Sequence, residues 1–336
     1  MPTKTTLKGI AEHLKLSIST VSKALADSPE ISESTKLLVK TAARQLKYRP
    51  NAMARGLKSS RTNTLGVVIP NIMHNFFAKV IVGMEEEATK NGYSLVTCIS
   101  NESLEKEKQS LNMLSDVSVD AIIISLTSET QENNEIEHLN DILHYDIPMV
   151  MFDRANTDVA CDSVVINDFS GAFEAASYLF NTGCKNVGFL STLSNTSVGN
   201  KRLAGYQAAV SKEEGAVPKV SYTKLATLEQ DLGTFLDKNE IDALITTDES
   251  SAIYAMNTIR TKGLEVPIDV SVIGFTDGTL ARNYFPSVTT VKQQAEIMGK
   301  KAIEIAIRNI NAKEKQAPQQ EVIETELVIR NSTRKL

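Results

Sequence analysis

The sequence predicts an α/β protein: an N-terminal three-helix head of the helix-turn-helix type, then a larger two-lobed core. Three observations predict it. The first 50 residues carry apolar residues at helical spacing, in three short stretches. From Leu65 onward, short apolar runs alternate with helical stretches, the pattern of parallel sheets covered by helices. The stretch after residue 61 is roughly 270 residues, long for one such sheet, which implies two lobes.

In the head, Leu7, Ile10, Ala11 and Leu14 fall on one helix face, with Thr6 as N-cap. After a short connection, Ser17 caps a second helix from Ile18 to Ala26, with Val21, Ala24 and Leu25 inward and Asp27-Ser28-Pro29 as its stop. Ser32 caps a third helix to about Lys47. Leu37, Leu38, Ala42 and Leu46 are expected inward, and Lys36, Lys40, Arg44 and Lys47 form a basic stripe. In a helix-turn-helix the second helix enters the major groove N-terminus first. Its outward side here is Ile18, Ser19, Ser22 and Lys23. Ile18 suits a thymine methyl and Lys23 a guanine edge; a plain three-helix bundle with one surface isoleucine is the alternative. Pro50 ends the third helix, and Asn51 to Lys58 spell two helical turns, marginal alone and expected to order on binding.

In the core, strands are expected at Leu65–Pro70, Tyr93–Ile99, Ala121–Ser125, Pro148–Asp153, Ser163–Ile166, Val187–Leu190, Ala243–Thr246 and Val270–Phe275, with helices between most of them. No helix separates the runs at 148–153 and 163–166, which places a lobe crossing there.

Charge divides along the same line. Residues 1–61 hold 12 Lys and Arg against 4 Asp and Glu, a balance of +8 in a chain whose net charge is −5. A basic head on an acidic body suits a polyanionic partner for the head alone. With 42% hydrophobic and 23% charged residues, the composition excludes extensive disorder or a disulfide scaffold. No apolar run reaches about 18 residues, so no membrane span is expected. The polar start predicts no secretory signal, and the scattered Cys98, Cys161 and Cys184 suit reduced thiols; a cytoplasmic location is expected.

Catalytic and phosphate-loop motifs of the G-x-S-x-G, G-x-G-x-x-G and G-x-x-x-x-G-K-[ST] types are absent, and His138 and His144, six apart, make poor metal partners. Neither an enzyme nor a metal or cofactor protein is expected.

Several stretches resemble the LacI/GalR family of bacterial transcription regulators. They are Thr6-Leu7-Lys8-Gly9-Ile10-Ala11-Glu12 through Ser19-Thr20-Val21-Ser22-Lys23-Ala24-Leu25, Tyr48-Arg49-Pro50-Asn51-Ala52 to Leu57, and Thr64-Leu65-Gly66-Val67-Val68-Ile69-Pro70. Arg202-Leu203-Ala204-Gly205-Tyr206, Ile273-Gly274-Phe275 and Pro286-Ser287-Val288-Thr289-Thr290-Val291-Lys292-Gln293 continue the match in the family's order, so it spans essentially the whole chain.

The resemblance implies a homodimeric regulator, expected to repress, bound to a pseudo-palindromic double-stranded operator. Ile18, Ser19 and Lys23 match base-reading positions. Thr6, Ser17, Ser22 and Asn51 match phosphate-holding or capping positions, and Thr20, Ala54 and Lys58 complete the expected DNA contacts, Thr20 with a capping role as the alternative. Leu57 matches the hinge leucine that wedges the minor groove. The family often has Gly or a small residue where Lys15 stands and an acid where Gly9 stands.

The body resembles periplasmic sugar-binding proteins: two Rossmann-like lobes with three crossovers. One lobe is expected over about 62–161 and 292–322, the other over 162–291 and 323–336, following a head at 1–50 and a hinge at 51–61. A small effector, a sugar or sugar derivative, is expected between the lobes beyond the strand ends. Candidate contacts are Asn71, Phe76, Asp153, Arg154, Ser191, Arg202, Asp248, Thr276, Asp277 and Gln293, with Asn167 and Asp168 nearby. Thr276 stands where the family commonly has a ligand-binding aspartate, with Asp277 next. No heptad repeat precedes Arg334-Lys335-Leu336, so a dimer rather than a tetramer is expected.

Overall fold

A computed structural model describes residues 5–25, 27–48, 61–276, 278–314 and 316–335. The expectations for Asn51, Ala54, Leu57, Lys58 and Asp277 therefore lie outside the described residues. Contacts divide the chain into two units, one ending at Thr62 and the other beginning at Asn63.

The head is α1 (Leu7–Leu14), α2 (Ile18–Leu25) and α3 (Glu33–Gln45). Its small core holds Ile10, Ala11, Val21, Ala24, Val39, Ala42 and Ala43. Each start is capped by the side chain read from the sequence. Thr6 accepts from the Gly9 amide at 3.1 Å, Ser17 from Thr20 at 3.0 Å and Ser32 from Thr35 at 3.4 Å.

On α3 the inward face differs from the expected one. Leu37 and Leu38 are 69% and 51% exposed, because the face that meets the other helices is Val39, Ala42 and Ala43. Lys36 leaves the basic stripe: its stem is buried and its ammonium lies 2.7 Å from Glu33 and 3.8 Å from Asp27.

The core contains two six-stranded sheets. Its first strands are β1 (Thr64–Ile69), β2 (Ser94–Ile99), β3 (Ala121–Ile124), β4 (Met149–Phe152) and β5 (Asp162–Ile166). The helices among them are α4 (Asn75–Lys90), α5 (Leu104–Asp116), α6 (Ser128–Asn133) and α7 (Glu137–His144). There follow α8 (Asp168–Asn181), β6 (Val187–Ser191), α9 (Ser197–Val210), β7 (Lys219–Tyr222), α10 (Leu228–Asn239), β8 (Ala243–Thr246), α11 (Glu249–Thr261), β9 (Ser271–Phe275), α12 (Thr279–Asn283) and β10 (Thr289–Lys292). The end is α13 (Ala295–Asn311), β11 (Gln320–Ile323) and β12 (Glu326–Val328).

The sheet orders are β11-β5-β4-β3-β1-β2 and β12-β10-β9-β8-β6-β7. All pairs are parallel except β10 with β12. The central strands are buried throughout, which is why they read as unbroken apolar runs. The chain passes between sheets three times: after β5, after β10 and after β11.

The lobe boundaries shift accordingly. Residues 162–166, assigned to the second lobe from the sequence, form β5 in the first sheet, where Val150 pairs with Asp162 and Val164 with Phe152. Parallel neighbours need a return connection. Here residues 153–161 supply it without a helix, so a missing helix did not mark a lobe crossing. Lys292 likewise ends a second-sheet strand and Ile323 a first-sheet strand.

Candidate DNA-binding head and interlobe cavity

The turn between α1 and α2 places the second helix. Lys15 adopts φ +51°, the left-handed region, while Leu16 donates back to the Ala11 carbonyl at 2.9 Å. A glycine at this position would meet that backbone without the Cβ cost that Lys15 carries. Beyond it, Ile18 is 50% exposed and Ser19 exposed, while Ser22 and Lys23 are half-buried. The expected outward side is thus on the surface, apolar Ile18 included. Lys23 forms a close ion pair with Glu30. Thr20 serves the cap: its amide donates to Ser17 Oγ, and the two hydroxyls lie 2.8 Å apart.

In the core, the C-terminal strand ends of both sheets surround a cavity of about 420 Å³. From the first lobe, Phe76, Asp153 and Arg154 line it; from the second, Arg202, Asp248, Thr276 and Gln293 do. Seven of the expected effector contacts therefore meet at one place. Two do not reach it. Asn71 folds back on its own turn, accepting from the Met73 amide at 2.8 Å. Ser191 is buried and accepts from Leu193 at 3.1 Å, shaping the turn after β6. Both end apolar strands, but their side chains are used by the loops they start.

Arg202 is fully buried. Its Nε donates to Asp168 Oδ1 at 2.7 Å, an Nη to the Thr247 carbonyl at 2.6 Å, and the guanidinium lies 4.1 Å from the Phe275 ring centre. Burial pushes the Asp168 carboxyl up, and the Arg202 charge opposes this. Arg154 is held by Glu102 at 2.6 Å; burial pushes the Glu102 carboxyl up, but Arg154 and the Ser128 amide outweigh it and hold it below the usual range. Asp248 spends both oxygens, one on the Ser251 amide that starts α11 and one on the Thr192 hydroxyl. Thr276 accepts from Gly278 at 2.7 Å.

Asp153 differs from these. It sits at φ +58°, is 7% exposed, and its carboxylate accepts no hydrogen bond among the described residues. Burial pushes its pKa up to about 6, with Arg154 pulling against it. An unpaired buried carboxyl facing a cavity is a strong attractor for hydrogen-bond donors.

Sequence reasoning missed Glu102, Ser128, Glu132, Thr192, Thr223, Lys224 and Thr247 as lining residues; His74, which the sequence places beside the cleft as a loop residue within reach of a ligand, lines the cavity from the turn before α4. Glu102, Thr192, Thr223 and Thr247 follow β2, β6, β7 and β8, so the strand-end rule would have found three of them. Thr223 follows a strand that was not expected. Among the described residues no group of His, Cys, Asp and Glu is placed to hold a metal ion, and no helix is long and apolar enough to cross a membrane.

A helix-turn-helix head joined to a two-lobed, parallel-sheet core defines a class: DNA-binding transcriptional regulators with a periplasmic-binding-protein-like body. Residues 6–51 match the bacterial regulatory proteins of the lacI family, and residues 176–333 match the periplasmic binding protein-like domain. The chain is 32% identical over 335 residues to the HTH-type transcriptional regulator RegA of Clostridium saccharobutylicum, covering 98% of this chain and 99% of that one. It is 30% identical over 337 residues to the HTH-type transcriptional repressor PurR of Vibrio campbellii, covering 98% and 99%. The lac repressor dimer bound to operator and the anti-inducer ONPF shares the fold, with a TM-score of 0.86 at 20% identity over 98% of this chain and 99% of that one. The chain belongs to the lacI family of bacterial regulatory proteins.

Proposed function

We propose that the protein is a cytoplasmic repressor that binds a pseudo-palindromic operator as a homodimer and is controlled by a small polyhydroxylated effector, a sugar or sugar derivative, held between the core lobes. The observation that carries the effector reading is the cavity itself: its walls come from both sheets and include the unpaired carboxylate of Asp153. A ligand touching both walls favours one lobe arrangement over others, and that difference in affinity is what couples effector to operator. The cycle needs no metal or cofactor.

For the head, support comes from the basic balance of residues 1–61 and the exposed side of α2. For the dimer, it comes from the relative described as a dimer on its operator and from the exposed apolar side chains of the second lobe, among them Tyr222, Leu280 and Phe285.

The test is selection of bound DNA from a random pool at two salt concentrations. An enriched inverted repeat, bound more weakly as salt rises, is the expected outcome. No enriched sequence at either salt overturns the operator reading. Calorimetric titration of a sugar panel, with and without the selected operator, then tests the coupling; equal affinities overturn it.

A further inference from the structure

A second cavity, of about 590 Å³, lies on the flank of the core behind Asp153. Its first-lobe walls are the 155–161 return, Ser163 and Val165 of β5, and residues 318–320 leading into β11. Its second-lobe wall is the start of α9, with Asn195, Ser197 and Lys201. At its edge Gln131 of α6 clasps Ser197: the amide Nε2 donates to Ser197 Oγ at 3.0 Å, and the Ser197 amide donates to Gln131 Oε1 at 3.2 Å.

Two charged groups face this space without a close partner. Asp153 lines it as well as the first cavity, and its buried carboxylate accepts no hydrogen bond among the described residues. On the other lobe, Lys201 is exposed to solvent at the cavity's mouth, and its ammonium makes no hydrogen bond or ion pair among the described residues; its charge acts on Asp168 at a distance. The remaining polar lining is uncharged, with the amides of Gln131, Asn156, Asn195, Gln319 and Gln320 prominent in it, beside apolar Val159, Val165 and Pro318.

We propose that this flank cavity is a second ligand site, which takes a small zwitterion of amino-acid type, its ammonium toward Asp153 and its carboxylate toward Lys201. The buried carboxylate on one lobe and the exposed ammonium on the other complement a molecule carrying one charge of each sign; a ligand without an ammonium leaves the buried Asp153 charge unanswered, and one without a carboxylate gains nothing from Lys201. The amides fit the intervening polar atoms, and the valines and proline fit a side chain. Because the walls belong to different lobes, occupancy holds the two lobes together.

Cys161 lines the cavity and reports on it; burial pushes its thiol up to about 12, so its alkylation is slow. In the full chain with Cys98→Ser and Cys184→Ser, alkylation of Cys161 by N-ethylmaleimide is followed by mass spectrometry. The probes are each of the nineteen free amino acids other than cysteine, whose thiol would consume the reagent, and their N-acetyl forms. The expected result is that at least one free amino acid slows alkylation about tenfold at saturation, that its N-acetyl form does not, and that Lys201→Met weakens this ligand about tenfold. Protection by no amino acid, equal protection by the acetylated form, or unchanged affinity in Lys201→Met overturns the proposal. Phe76→Ala, which alters only the first cavity, leaves the protection in place; its loss there, with Lys201→Met silent, puts the ligand in the first cavity and equally overturns the second site.

Discussion

Two backbone positions in the left-handed region make different demands on their side chains. Lys15 closes α1 at φ +51° and gains nothing from its side chain that a glycine would lack. Lys15→Gly is expected to stabilise the head by about 1 kcal/mol, read as a higher melting temperature of residues 1–62; a lower one would mean that the lost chain entropy outweighs the relieved strain. Asp153 is costly in another way. Its folded pKa is raised to about 6, so its unfavourable contribution is absent below the unfolded carboxylate range and fully present above about 6. Asp153→Asn should therefore stabilise the core by about 1–3 kcal/mol at pH 7.5 and by little at pH 4. Donors from an effector favour the charged carboxylate, so effector affinity should fall as pH drops through about 6 in the native chain and stay flat in Asp153→Asn. Parallel pH profiles of chemical denaturation and calorimetry check both signs. Asp153, Arg202 and Gln293 were legible because they follow apolar runs or match a motif. The helix N-terminal place of Asp248 was legible too, because its partner Ser251 is only three residues on; that Arg202 is held by Asp168 was not, since that partner opens a helix 34 residues earlier in the chain.

At the scale of elements, the first lobe depends on a close crossing of α4 and α13. A Cβ on Gly299 would stand 2.1 Å from the Val80 carbonyl oxygen, and one on Gly83 2.1 Å from that of Glu296. Gly299→Ala is expected to destabilise the core by about 1–3 kcal/mol through forced helix separation, while leaving the head's own unfolding unchanged. A two-transition melting profile in which only the core step moves is the check. The same scale shows what apolar runs reveal. β1, β3, β4, β6, β8 and β9 are covered on both faces and stood out as runs. β7, β11 and β12 have half-buried or exposed residues, and β10 is buried but reads Thr289-Thr290-Val291-Lys292, with one apolar residue, so none showed as a run. Leu37 and Leu38 misled in the opposite direction: in a helix as short as α3 the apolar stripe can be drawn on more than one face, and Val39 with the two alanines took the interior.

For the whole molecule, the proposed control by an effector makes the relation between lobes the quantity to measure. Among the described bonds across them, those of Gln131 with Ser197 stand at the cavity edge. Gln131→Ala should loosen the unliganded core, seen as a larger radius of gyration in small-angle scattering that an effector reverses; an unchanged profile means the lobes are held by the crossovers alone. The two-lobed plan was legible from length and alternation, whereas the exact crossing points were not, because β5 returns to its own sheet through a loop instead of a helix.

Both sheets are completed by late segments: β11 pairs with β5 and β12 with β10, while Ser332 donates to the Val272 carbonyl at 2.6 Å and accepts from Thr289 at 2.7 Å. In a chain made from its N-terminus, the described core of the head lies within its first 48 residues, yet neither lobe can close until almost everything has emerged. High contact order of this kind slows folding and leaves strand edges open meanwhile. A nascent chain stalled before β11 would thus present a finished DNA-reading head on an unfinished body, a species for which aggregation and chaperone capture are the competing fates.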